Sequence, residues 1–345
     1  MQLREMLGVE WPILQAPMAG VQLGALAAAV SQAGGLGALP CALITPAVMA
    51  KELELIRSRT AKPFNVNFFC HEPPRVDAAR EAAWRAALDP YYRELGIDPG
   101  SIAAGPGRAP FSAEAADALQ PFRPAVVSFH FGLPAPELLA RVKGWGSKVI
   151  ASATTVDEAR WLEARGVDAV IAQGAEAGGH RGMFLSTDLT TQGGTFALVP
   201  QVVRAVKVPV IAAGGIADAK GVAAALALGA SAVQVGTAFL LCEEATTPSI
   251  HRAALKSDAA RHTALTNVFT GRPARGIVNR IVREVGPISA HAPEFPLATA
   301  AIAPLRAKAE ARGSGDFSPL WSGENSSGCR EIPAANLVRL LASSG

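Results

Sequence analysis

The chain has 345 residues, half of them hydrophobic and 18% charged, with a net charge of +3. That length suits one large α/β barrel or two ordinary domains, and the composition can build a sizeable core. The small net charge makes no case for nucleic acid or an acidic membrane surface, so neither is expected as a partner.

The four cysteines, Cys41, Cys70, Cys242 and Cys329, show no CxxC spacing and do not cluster with histidine as metal ligands do. Reduced thiols in a cytoplasmic protein, and no metal site, are the expectation. The first residues contain no apolar core of a secretory signal. The uncharged run 221–242 is long enough to span a bilayer. Gly229-Ala230-Ser231 splits it into an alanine-rich helical half and a short β-type half. A barrel helix followed by a buried strand is expected there.

Short apolar runs at 12–15, 36–39, 64–68, 125–129, 148–151, 169–172, 208–212 and 232–235 predict eight strands. Helical signals fall between them. The stretch 21–33 ends at Gly34-Gly35. Thr155-Val156-Asp157-Glu158 reads as a capping box, with Gly166 at the far end. Asp218 can cap a helix that Gly229 closes. Strand–helix alternation argues for a parallel sheet, and eight units argue for a (β/α)8 TIM barrel with its site at the C-terminal strand ends. A doubly wound sheet is the alternative, and it requires a reversal of strand order.

Two segments fall outside the repeat. Residues 71–121 read as an insertion after the third strand, with a helical piece near 78–87 and a Gly/Pro-rich stretch at 98–110. Residues 243–305 read as a small capping domain at the mouth of a barrel formed by 1–242. Residues 306–345 then return to the barrel, with helical pieces near 305–312 and 334–341.

The loops after the seventh and eighth strands hold Gly214-Gly215 and Gln234-Val235-Gly236-Thr237. Glycines there can simply make tight turns. Two such loops on consecutive strands favour a phosphate, held by backbone N–H groups near helix starts. The first strand runs into Ala16-Pro17-Met18. Pro17 stiffens that exit, and Met18 can fill space against a flat ring or against the core. Asn65 and Asn67 share one face of their strand, as barrel-interior amides or as partners of a heterocycle edge, with Asn67 nearer the mouth.

His130 ends the fourth strand. His180 follows the sixth, inside a segment from Ala172 to Gly182 that holds four glycines in eleven residues. Glycine lets backbone approach a ligand closely, and an imidazole there can move a proton or simply bond locally. His71, His251, His262 and His291 fall in loops or extra segments and carry no assigned role. The basic cluster Arg272, Arg275, Arg280 and Arg283 either anchors loops or meets an anionic ligand.

Taken together, these motifs resemble the nitronate monooxygenases, once called 2-nitropropane dioxygenases, and their bacterial class I members in particular. The resemblance rests on Gln15 to Gly20, Pro63 to Phe69, Ser128 to Gly132, Gly174 to Gly182, Ala213 to Ile216, Gln234 to Thr237 and Gly271 to Gly276. It implies an FMN-dependent barrel that oxidises alkyl nitronates with dioxygen to a carbonyl compound and nitrite. It implies FMN contacts at Asn67, Gln173, Gly178, Gly179, Gly215 and Gln234 to Thr237, with Gly236 and Thr237 at the phosphate. It casts His180 as the active-site histidine and His130 as a wall of the substrate side, in a monomer or homodimer. Two departures are visible. Residues 298–306 hold neither the tyrosines nor the lysine of class I members, and Glu324 stands where glutamine is expected.

Two other readings compete. One is an FMN enzyme of the same superfamily that uses NAD(P)H, an enoyl-acyl-carrier-protein reductase or a quinone reductase. The other is a flavin-free phosphate-binding barrel, a lyase or isomerase, which usually needs a lysine or carboxylate at a strand end. Lys148 and Lys207 stand at strand starts, on the far face.

Overall fold

The computed structural model describes residues 3–102 and 107–343. In chain order the strands are β1 (Ile13–Gln15), β2 (Gly37–Pro40), β3 (Phe64–Phe69), β4 (Val126–His130), β5 (Lys148–Ala153), β6 (Ala169–Gln173), β7 (Gly179–His180), β8 (Val210–Ala213), β9 (Ala232–Val235), β10 (Thr263–Thr266) and β11 (Ala274–Ile277). Eight of them pair in parallel in the order β1-β9-β8-β6-β5-β4-β3-β2. A parallel bridge between Leu14 and Leu36 joins the two ends. The Leu36 amide donates to the Ile13 carbonyl at 2.9 Å, and the Gln15 amide to Leu36 at 2.9 Å. The sheet is therefore a barrel, and the strand-order reversal of a doubly wound fold is absent.

Successive strand residues point to opposite faces, so each strand sorts its own side chains. Val149 and Ala151 of β5 face outward into the layer shared with the surrounding helices. Ile150 faces inward, with Leu14, Leu36, Val126, Ala169, Ile211 and Ala232, and Leu3 and Leu7 of the first helix plug this floor. Two residues further along β4, β5, β6 and β9, the inward positions turn polar. Ser128, Ser152, Gln173 and Gln234 stand above Val126, Ile150, Ile171 and Ala232 and line a cavity at the mouth.

The capping signals are satisfied locally. Asp218 accepts from the Gly221 amide at 2.8 Å, and Gly229 closes that helix at φ +98°. Thr155 accepts from the Glu158 amide at 3.2 Å. The reciprocal half of the expected box is different. Glu158 bonds the amide and hydroxyl of Thr154, at 2.6 and 2.7 Å, and the amides of Phe184 and Leu185, at 2.6 and 3.2 Å. Its carboxylate ties the loop beyond β7 to the exit of β5.

A second apolar core lies outside the barrel. The inserted helix Ala78–Leu95 contributes Trp84, Leu88 and Tyr92, which meet Ile302 and Leu305 of the helix Ala298–Glu310. Tyr92 donates to the Ala301 carbonyl at 2.6 Å. The spacing of 84, 88, 92 is one helical face, and it carries this helix beyond the expected 78–87. Helix Ala298–Glu310 begins seven residues before the expected start, because small alanines at 298 and 301 bury as well as leucine does. The antiparallel sheet β10-β11-β7 completes this unit. No helix among the described residues is long and apolar enough to cross a membrane, and 221–242 divides into helix Ala219–Ala227 and β9.

Candidate active site

The cavity opens at the C-terminal ends of the barrel strands. At its polar layer, Asn67 donates to the Ser128 hydroxyl at 2.9 Å, and Asn65 donates to the same oxygen at 2.8 Å. Asn67 reaches the cavity wall, whereas Asn65 lies below it.

The glycine–histidine loop is held at three points. The Gln173 amide nitrogen donates to the His180 carbonyl at 3.0 Å, and its oxygen accepts from the Gly182 amide at 2.7 Å. The His130 ring reaches the same His180 carbonyl through Nε2 at 3.2 Å, while Nδ1 lies 3.0 Å from the Ser152 hydroxyl. A carbonyl can only accept, so Nε2 carries the proton and Nδ1 accepts from Ser152. The third point is Arg181, which is fully buried. It donates to the carbonyls of Gly174 and Gln173 at 2.7 and 2.8 Å and to the Gln192 side chain. These contacts satisfy carbonyls that a loop crowded with glycine leaves open.

Gly179 and His180 form β7, paired with Arg275 and Ala274 of β11. The His180 ring is boxed by Phe69, Phe131, Phe295 and Trp321, with ring centres 5.3 to 6.1 Å away. Its Nε2 lies 2.9 Å from the Thr270 hydroxyl. Burial, and then the positive charges of Arg108 and Arg272, hold His180 well below the ordinary imidazole range. Burial, then Arg272, pushes His130 down to about 3. The imidazole therefore stays neutral, with the Arg108 and Arg272 guanidinium charges nearby.

The corner loops after β8 and β9 face the same cavity. Gly214 and Gly215 have φ of +118° and +71°, consecutive values that turn backbone N–H groups inward. Among the described residues, the amides of Gly214, Gly215, Gly236 and Thr237 have no protein acceptor. A C-terminal segment closes over them. The Gly323 amide donates to the Thr237 hydroxyl at 2.9 Å, Asn325 to the Gly215 carbonyl at 3.1 Å, and the Glu324 amide to the Glu176 carbonyl at 3.0 Å. Gly178 allows that closure, since a Cβ there would stand 2.5 Å from the Gly323 nitrogen. Open amides at two adjacent corners, with small residues in between, fit a phosphate and a flat ring system.

The cavity gathers His180, His130, Ala16, Pro17, Met18, Asn67, Gln173, Gly178, Gly179, Gly214, Gly215, Gln234, Gly236 and Thr237. Val235 is the exception. Its side chain faces the barrel's outer core, and its carbonyl accepts from the Ala16 amide. The basic cluster anchors loops. Arg272 stacks 3.9 Å over Phe131 and donates to the Met183 carbonyl. Arg275 bonds Ala175 and pairs with Glu324. Arg280 clamps Glu94 and Glu284. Sequence reasoning gave no site role to Arg108, Arg181 or the wall residues 318–321, Gly323 and Asn325. It also gave no role to His71, which packs 4.9 Å from the Phe295 ring, or to His251, which lines the cavity. No run or spacing marks them, since only the folded chain brings them to the mouth.

A family model described as nitronate monooxygenase matches residues 1–343. The nitronate monooxygenase of Pseudomonas aeruginosa is 45% identical over 97% of this chain and 96% of its own length. The nitronate monooxygenase of Paraburkholderia phytofirmans is 43% identical over 97% of this chain and 92% of its own. A crystal structure of nitroalkane oxidase from Streptomyces ansochromogenes superposes with a TM-score of 0.89 at 40% identity, covering 99% of this chain and 97% of that one. With strands, cavity and relatives in agreement, the chain belongs to the nitronate monooxygenase family and is an oxidoreductase that acts on nitronates.

Proposed function

We propose that this enzyme uses FMN to oxidise alkyl nitronates, such as propionate 3-nitronate, with dioxygen, giving a carbonyl compound and nitrite. The observation that carries the reading is the pairing, in one cavity, of a neutral His180 near the Arg108 and Arg272 guanidinium groups with amide-lined corners at β8 and β9. When bound, FMN supplies the electron acceptor. The amides of Gly214, Gly215, Gly236 and Thr237 would hold its phosphate. Ala16, Pro17, Met18, Gly178 and Gly179 would border its ring, and Asn67, Gln173 and Gln234 would offer polar groups to its edge.

A nitronate is already a carbanion equivalent, so the site needs no strong base. With Nε2 occupied by Thr270, Nδ1 is the nitrogen His180 keeps for a ligand. The imidazole orients the nitro group, while Arg108 and Arg272 supply the charge that draws in an anion. The aromatic box excludes water from that contact. His130 acts on the same reaction through the His180 backbone.

The test is the absorbance spectrum of the purified protein, followed by oxygen uptake and nitrite release with propionate 3-nitronate. A yellow protein that consumes oxygen and releases nitrite is expected. A colourless, fully folded protein would point to a flavin-free barrel. Rapid anaerobic bleaching by NADH or NADPH would point to a reductase.

A further inference from the structure

Among the described residues, one cation on the cavity wall has no carboxylate paired with it. Arg108 lines the same cavity as His180. Its Cζ lies 5.2 Å from the centre of the Phe295 ring, and the His180 ring lies 5.3 Å from that same centre. Among the described residues, its guanidinium has one side-chain acceptor, the Thr299 hydroxyl, at 3.5 Å. No carboxylate pairs with it there, and residues 1–2, 103–106 and 344–345 contain no acidic side chain. Burial is what lowers its affinity for the proton.

The other arginines nearby are all engaged. Arg306 pairs with Glu310 at 2.7 Å, Arg275 with Glu324 at 3.0 Å, and Arg181 and Arg272 hold backbone carbonyls. A guanidinium offers five donors in a planar fork that matches a carboxylate. Placing one on a half-buried wall, with a single long contact, leaves most of that fork for a ligand. Arg108 and His180 meet the same phenylalanine ring, so a small molecule in the cavity can touch both at once.

We propose that Arg108 is a specificity-determining residue that pairs with a carboxylate carried by the substrate away from its nitronate carbon. The enzyme then favours nitronates bearing a carboxylate over neutral alkyl nitronates. The inference rests on the nitronate reading above. It adds to that reading a second anchor, with His180 and the flavin side taking the nitro end and Arg108 the opposite end.

The experiment compares propionate 3-nitronate with propane 1-nitronate, which has no carboxylate, in the wild type, Arg108→Gln and Arg108→Lys. In Arg108→Gln, kcat/KM for propionate 3-nitronate falls about ten- to a hundred-fold, mainly through KM, as expected for losing a charge-assisted pair. For propane 1-nitronate, which loses only the general attraction of a nearby positive charge, the loss is smaller, about five-fold or less, and Arg108→Lys recovers part of the larger loss. Equal losses on both substrates, or no loss on either, overturn the proposal. Calorimetric binding of 3-nitropropionate against 1-nitropropane separates the two readings. An Arg108-dependent preference for 3-nitropropionate in a protein that oxidises neither nitronate keeps the anion clamp and removes the nitronate reading. A wild type that oxidises nitronates but shows no such preference does the reverse.

Discussion

His130 Nε2 lies 3.2 Å from the carbonyl oxygen of His180, so the two histidines at the mouth divide their work. One ring holds the backbone that presents the other. Replacing His130 by Ala removes this bond and opens a hole beside Gly182, whose own position leaves a Cβ only 2.8 Å from the His130 ring. The expected cost is about 2–3 kcal/mol of stability. The expected loss in kcat is about ten-fold or more, with flavin retained. Urea unfolding and oxygen uptake measure the two effects, and a variant with unchanged kcat would show that His130 does not position His180.

Acid should weaken the fold through the same rings. His130 is pushed down to about 3 and His251 to about 4, from an ordinary value of 6.5. Both stay neutral in the fold at pH values where the unfolded chain takes up protons. Their contribution is complete above about pH 6.5 and is lost as pH falls toward those lowered values, by at most about 1.4 kcal/mol per histidine per pH unit. Thermal midpoints between pH 7.5 and 4.5 test this, and His130→Gln should flatten the dependence. A midpoint that does not fall with acid would contradict the buried, neutral state.

Catalysis should not report an ordinary imidazole. His180 is held well below its usual range by burial and by Arg108. With a preformed nitronate, kcat/KM is expected to be flat between about pH 6 and 8. An acid limb centred near the free imidazole value would mean that His180 titrates during turnover.

Arg181→Met should behave as a fold mutation that also disables the site. The variant strands the carbonyls of Gln173 and Gly174, now bonded at 2.8 and 2.7 Å in a fully buried setting. A loss of about 3 kcal/mol or more is expected in denaturant unfolding, together with lower kcat. An unchanged midpoint would show that the loop holds itself.

Gly178→Ala addresses the corner where the tail crosses. The added Cβ would meet the Gly323 nitrogen at 2.5 Å and the Ser322 carbonyl carbon at 2.6 Å. Both are backbone atoms, so the tail must shift. Flavin affinity is expected to fall about ten-fold, roughly 1.4 kcal/mol, as measured by flavin release on dilution. Gly193→Ala, where a Cβ meets nothing within 4 Å, serves as the control.

The barrel was legible because buried parallel strands read as continuous apolar runs between glycine and proline. All eight runs became strands β1 to β6, β8 and β9. The cap was less legible. Two-residue β7 is too short to show any period, and it became a strand only because β11 lies beside it. Asn67 could be found, since alternation puts it on one face with Asn65, whereas Gln173 came only with the family resemblance. Arg108 and Trp321 could not, because their neighbours lie far away along the chain, and Arg181 could not, because nothing in the segment marks which carbonyls its guanidinium meets. Glu158 read as a helix cap, yet most of its bonds go to residues outside the helix.

The short ladder between His180 and Ala274 ties two bodies together. The imidazole belongs to a barrel loop by chain connection and to the cap by hydrogen bonding. Lifting the cap as a rigid flap would tear this ladder and drag the histidine out of register with the corners at Gly214 and Gly236. Entry by side-chain movement at the rim would spare that register.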